Sequence, residues 1–165
     1  MKTWQFLGYR RFILVFTLML SVGGFLSCDD DEEEEAPAKV NYSGSFEKSS
    51  DAVNTSATGT TRAIFDPASS ELSFTVTWTG LGSAAANMHF HNDGPVMAPI
   101  TGFPQTVSGT VSGKVTLTAQ QAADLVAGKI YTQIHTATYP AGEVIARLSK
   151  SSSGMNPPPS GGNGY

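Results

Sequence analysis

In residues 71–80, ELSFTVTWTG, Leu72, Phe74, Val76 and Trp78 alternate with Ser73, Thr75, Thr77 and Thr79. Successive side chains of a strand point to opposite faces, so this alternation predicts a β-strand with one buried and one hydroxyl-lined face. Val, Phe, Trp and Thr are also residue types that fit a pleated surface. Trp78 is expected to point inward.

Outward from this strand, KVNYSGSFE (39–47) and ATGTTRAIF (57–65) precede it, and TVSGTVSGKVTL (106–117) and KIYTQIHTA (129–137) follow it. All four are β-prone and separated by turn-rich segments, a spacing that predicts a sandwich or barrel. One helix interrupts them, in TAQQAADLVAG (118–128). Thr118 is the expected N-cap, with Gln121 three residues on as a capping box, and Gly128 ends the helix. Ala122 and Leu125 are placed to face the sheet.

The ends of the chain differ from this middle. MKTWQFLGYRR supplies Lys2, Arg10 and Arg11, and FILVFTLMLSVGGFL (12–26) is an apolar run of about 15 residues, in the range of an export signal and below the roughly 20 needed to span a bilayer. Directly after Ser27 stands Cys28, the only cysteine in the chain. A lone exported cysteine cannot form an internal disulfide, and here it resembles the lipidated first residue of a bacterial lipoprotein, with Phe25 where such sites usually carry Leu. The other reading is an uncleaved membrane anchor with a free thiol. Seven acids follow, DDDEEEE (29–35). They suit a solvated spacer, and they resemble the surface-export tag of lipoproteins in one phylum of Gram-negative bacteria. The two roles are compatible.

The acidic block accounts for the net charge of −4. Residues 36–165 hold seven acids (Glu47, Asp51, Asp66, Glu71, Asp93, Asp124, Glu143) and seven bases (Lys39, Lys48, Arg62, Lys114, Lys129, Arg147, Lys150). No basic patch is available to attract nucleic acid. The tail SSSGMNPPPSGGNGY (151–165) has almost nothing to bury and is expected to be disordered. The expected organisation is a lipoprotein signal peptide at 1–27, a lipidated Cys28 with acidic linker at 28–39, one β domain at 40–150 and the tail at 151–165.

The chemistry concentrates in NMHFHNDGPV (87–96), where His89 and His91 lie two apart in a chain with only one other histidine, His135. Residues two apart on a strand share a face. Met88 and Phe90 are expected to face the core, which puts His89 and His91 on the opposite face. In KIYTQIHT (129–136), Ile130, Thr132 and Ile134 share one face, and Tyr131, Gln133 and His135 the other. Three imidazoles with an open position suit copper or catalytic zinc. The alternative is structural: a buried imidazole can bridge backbone groups across a sandwich. Asp93 is a further ligand candidate, although NDGP is first a turn sequence. Glu143 and Arg147, four apart, are placed for an ion pair on one strand face. There is no Gly-x-Ser-x-Gly elbow, no phosphate-cradling glycine loop and no carboxylate pair brought together by spacing, so no catalytic residue is assigned.

TGLGSAAANMHFHNDGPV (79–96) and LVAGKIYTQIHTATYPAGEVIARL (125–148) together resemble the CHRD domain, a module first named in chordin. The shared features are Gly80 and Leu81; His89 and His91; Gly94 to Val96; Leu125, Gly128 and Tyr131; His135 and Thr136; and Pro140, Gly142 and Glu143. The resemblance covers about residues 41–148. Two departures stand out: SSDA precedes Val53, Thr55, Ala57 and Gly59 where the family often has an acidic stretch, and Ile145 takes the place of an arginine. His-x-His on one strand with a later His near the final hairpin is also similar to the copper half of the copper-zinc superoxide dismutase sandwich.

The resemblance implies an all-β fold, an antiparallel immunoglobulin-like or superoxide-dismutase-like β-sandwich or barrel with one short helix. Two functions are expected from it and from the residues. The first is a noncatalytic lipoprotein module, exported, anchored by lipid to the outer membrane or cell surface, that binds a protein or glycan partner. The second is a copper or zinc protein using His89, His91 and His135, with superoxide-dismutase-like redox chemistry as its furthest extension.

Overall fold

The computed structural model describes residues 35–152. Cys28, the apolar run, most of the acidic block and most of the tail lie outside them. Ten strands and one helix follow in the order β1 (Val40–Ser45), β2 (Glu47–Lys48), β3 (Thr58–Asp66), β4 (Glu71–Thr79), β5 (Ala85–Asn92), β6 (Val96–Pro99), β7 (Gly109–Thr116), α1 (Ala119–Val126), β8 (Ile130–Thr136), β9 (Val144–Arg147) and β10 (Ser149–Lys150). They form two five-stranded sheets, ordered β10-β1-β3-β4-β7 and β2-β9-β8-β5-β6. Every pairing is antiparallel. Of the two expected architectures, the sandwich is the one formed; the sheets do not close into a barrel.

β4 lies second from the edge of the first sheet, and its alternation is obeyed: Leu72, Phe74, Val76 and Trp78 are buried. Trp78 is 1% exposed, and its indole N–H donates to the Thr106 carbonyl at 3.2 Å. Phe74 meets Phe90 of the second sheet edge to face, ring centroids 5.0 Å apart, so the two inner faces interlock through aromatic rings. β7 passes beside these large side chains with Gly109 against the Trp78 ring and Gly113 against the Phe74 ring, places where a Cβ would collide. The opposite side of β4 carries a row of paired hydroxyls, Thr75 with Ser112, Thr77 with Thr110 and Thr79 with Ser108.

The second sheet contributes Met88, Phe90, Ile130, Ile134 and Val144 to the same core. The helix forms as its signals predict: Thr118 Oγ1 accepts from the Gln121 N–H and the Gln121 side chain accepts from the Thr118 N–H. Leu125 enters the core and Ala122 packs against it. Among the described residues no helix is long and apolar enough to cross a membrane.

Candidate metal centre

β5 and β8 are neighbours near the middle of the second sheet, and their register sets the site. Phe90 opposes Thr132, His89 opposes Gln133 and His91 opposes Tyr131, while His135 lies opposite Asn87 beside a register shift between Ala85 and Asn87. Because Met88 and Phe90 fill the core, His89, His91 and His135 stand on the outer face of this sheet. They gather there. Ring centroids are 5.2 Å apart for His89 and His135, 5.9 Å for His89 and His91, and 6.1 Å for His91 and His135. One ligand nitrogen from each lies within 4.8 Å of the others.

Two of the rings are held from behind by backbone. His91 Nδ1 is 2.8 Å from the Gly94 carbonyl, in the turn where Asp93 has φ 49° and Gly94 φ 125°. His135 Nδ1 is 3.0 Å from the Pro140 carbonyl, in the connection from β8 to β9. A carbonyl only accepts, so each Nδ1 carries the proton and donates it, which leaves the lone pair on Nε2. Those two Nε2 atoms, and Nδ1 of His89, are buried without a hydrogen-bond partner among the described residues. Leaving three such atoms unpaired costs free energy that a shared cation would recover. A backbone carbonyl behind the ligating imidazole is also how metal-binding histidines are commonly oriented.

The protonation state fits. Burial, reinforced by the nearby His135 and His91, holds the His89 imidazole below its ordinary value of 6.5 and so in the neutral form that can ligate. His91 is buried at 6% exposure, while His89 and His135 are half-buried, with the unpartnered nitrogen of each ring shielded from solvent. A tetrahedral ion at about 2.0 to 2.1 Å would hold its nitrogens about 3.4 Å apart, so the group would have to draw together to bind one.

Further residues support the group without joining it. Tyr131 stacks on His91, with centroids 5.1 Å apart and planes 8° from parallel. The Arg147 guanidinium lies 5.1 Å from the Tyr131 ring centre. The Gln133 side chain donates to the Ala141 carbonyl at 3.2 Å and so fastens the turn that carries Pro140.

Two expectations are corrected. Asp93 is no ligand: its side chain is 61% exposed and pairs with Arg147 at 3.6 Å. Glu143 does not pair with Arg147 either, because its side chain is turned into the protein, 0% exposed. Its Oε1 accepts from Thr55 Oγ1 at 2.6 Å and from the Gly82 N–H at 2.8 Å, and its Oε2 from Thr136 Oγ1 at 2.8 Å. The spacing of four holds along a strand, but Glu143 precedes β9 and the backbone turns there. The sequence puts Tyr131 on the face of His135, and Gly94 and Pro140 among the family features, but gives none of them a role in orienting the histidines. Only the strand register could have placed Tyr131 beside His91.

A family model of the CHRD domain matches residues 38–147, from just before β1 to the end of β9, with all three histidines inside the match. The chain belongs to the CHRD domain family. The matched residues span both sheets of the sandwich, including the β5–β8 pairing that brings the histidines together. No curated protein and no solved structure matches the chain.

Proposed function

We propose that this CHRD domain is an exported, lipid-anchored binding module whose outer sheet face holds one copper or zinc ion on His89, His91 and His135. One observation carries the metal assignment: each histidine has a buried nitrogen without a hydrogen-bond partner, and in His91 and His135 the backbone already occupies the other nitrogen. The competing structural role predicts the reverse, because histidines that bridge backbone groups across a sandwich should have both nitrogens engaged. Imidazole donors without thiolate suit zinc and copper alike.

Calorimetric titration of the metal-free full chain in detergent tests the assignment. One equivalent of Cu(II) or Zn(II) should bind, and melting should rise with metal concentration because the ion favours the folded state. His89→Ala, His91→Ala and His135→Ala should each remove most of that rise. No heat beyond dilution, with a melting temperature indifferent to metal, would sink it. The anchor rests on Cys28 after an export-type run, and labelled fatty acid should enter the wild type but not Cys28→Ser. Equal labelling of both would remove the anchor from the proposal.

A further inference from the structure

The three donors are neutral imidazoles, so they leave the whole charge of a divalent ion uncompensated. No other His, Cys, Asp or Glu among the described residues joins them. The cross-strand neighbours on this face are uncharged too: Asn87 opposite His135, Gln133 opposite His89, Tyr131 opposite His91 on one side and Val96 on the other. The two acids closest in sequence are spoken for. Asp93 is turned to solvent against Arg147, and Glu143 is enclosed by Thr55, Gly82 and Thr136. A half-buried dication without a counter-charge is costly, and the protein offers none. At the same time His89 and His135 are only half-buried, so the ring edges around the buried nitrogens lie near the surface, within reach of a small ion.

We infer that the loaded site takes a small inorganic monoanion as its fourth ligand, drawn in by the charge the three imidazoles leave unbalanced. This rests on the metal assignment made above. The site is then an exchangeable anion receptor rather than a closed structural centre.

The experiment is a titration of azide into the Cu(II)-loaded full chain in detergent, followed by its azide-to-copper charge-transfer absorption and by electron paramagnetic resonance. A saturable one-to-one absorption with a shifted copper spectrum is expected. A chain that keeps its copper but shows neither change does not admit the anion to the metal, and that overturns this inference alone. A chain that takes up no copper overturns the metal assignment and this inference with it. Asn87→Asp adds a carboxylate beside His135 on an exposed strand position. With copper content unchanged, it should raise the azide concentration at half-saturation roughly fivefold, the scale of one added charge at this range. An unchanged half-saturation in that variant contradicts the charge argument.

Discussion

Tyr131 lies flat on His91, and Arg147 lies over the Tyr131 ring, so one cross-strand row of β9, β8 and β5 ends on a candidate ligand. Arg147 also reaches Asp93, whose turn supplies the Gly94 carbonyl that orients the same imidazole. His91 is therefore steadied by a ring beside it and a carbonyl behind it. An aromatic stack is worth about 0.5 to 1.5 kcal/mol beyond its buried area. Tyr131→Leu should accordingly weaken metal binding about two- to tenfold, and Tyr131→Phe, which keeps the ring, should restore it. Calorimetric titration checks both. Equal loss in the two variants would assign the effect to the hydroxyl instead.

The His89 shift gives the metal-free domain a pH dependence. Its folded-state value lies below 6.5. Between the two values the unfolded chain binds a proton that the folded chain refuses, so stability should fall as pH drops from about 7 through about 6. Asp66, Glu71 and Asp124 are held low by Lys39, by Lys114 and by Asn92 with Lys129 respectively, so their contributions are lost only in more acid solution. Thermal melts of the metal-free chain across the near-neutral range read the His89 effect apart from those of the three acids. His89→Ala should flatten that slope, and an unflattened slope would assign it to another group.

Trp78→Ala should cost about 3 to 5 kcal/mol, the range for emptying a buried Trp site. The variant also deprives the Thr106 carbonyl of its indole donor. The rigid sheet around the ring, including β7 at Gly109, leaves little scope for collapse into the cavity. Urea unfolding measures it, and a loss under about 1 kcal/mol would contradict the packing.

Glu143→Gln tests the buried carboxylate. Three donors converge on its two oxygens, one of them the Gly82 backbone N–H, which cannot turn round. A carboxamide keeps one acceptor oxygen and sets an NH2 group against a donor on the other side. Hydrogen bonds to a charged group are worth about 1.5 to 3 kcal/mol, and a loss of that order is expected in urea unfolding. Indifference to the substitution would mean that the carboxylate is replaceable by any group of its shape.

Much of this was legible in the sequence because period 2 is a local signal. The alternation in residues 71–80 fixed which face of β4 is buried, and the same rule applied to MHFH and to KIYTQIHT put the three histidines on faces away from their strands' aliphatic residues. What joins distant segments was not legible. Glu143 and Thr55 are 88 residues apart, and nothing in either neighbourhood announces the other. β6 is short and lies among Pro and Gly residues, so it has no run long enough to show a period. The backbone carbonyls of Gly94 and Pro140 act through conformation, which the identity of a residue constrains only loosely.

Met88 and Phe90 hold the sandwich together, while His89 and His91, the residues between them, face the other way. Cohesion and chemistry are thus written in alternate letters of a single strand. A change at 89 or 91 rewrites what the outer surface can bind and leaves the letters at 88 and 90 intact. Such a strand can vary what its outward side chains offer while the side chains that fill the core keep their places in the sequence.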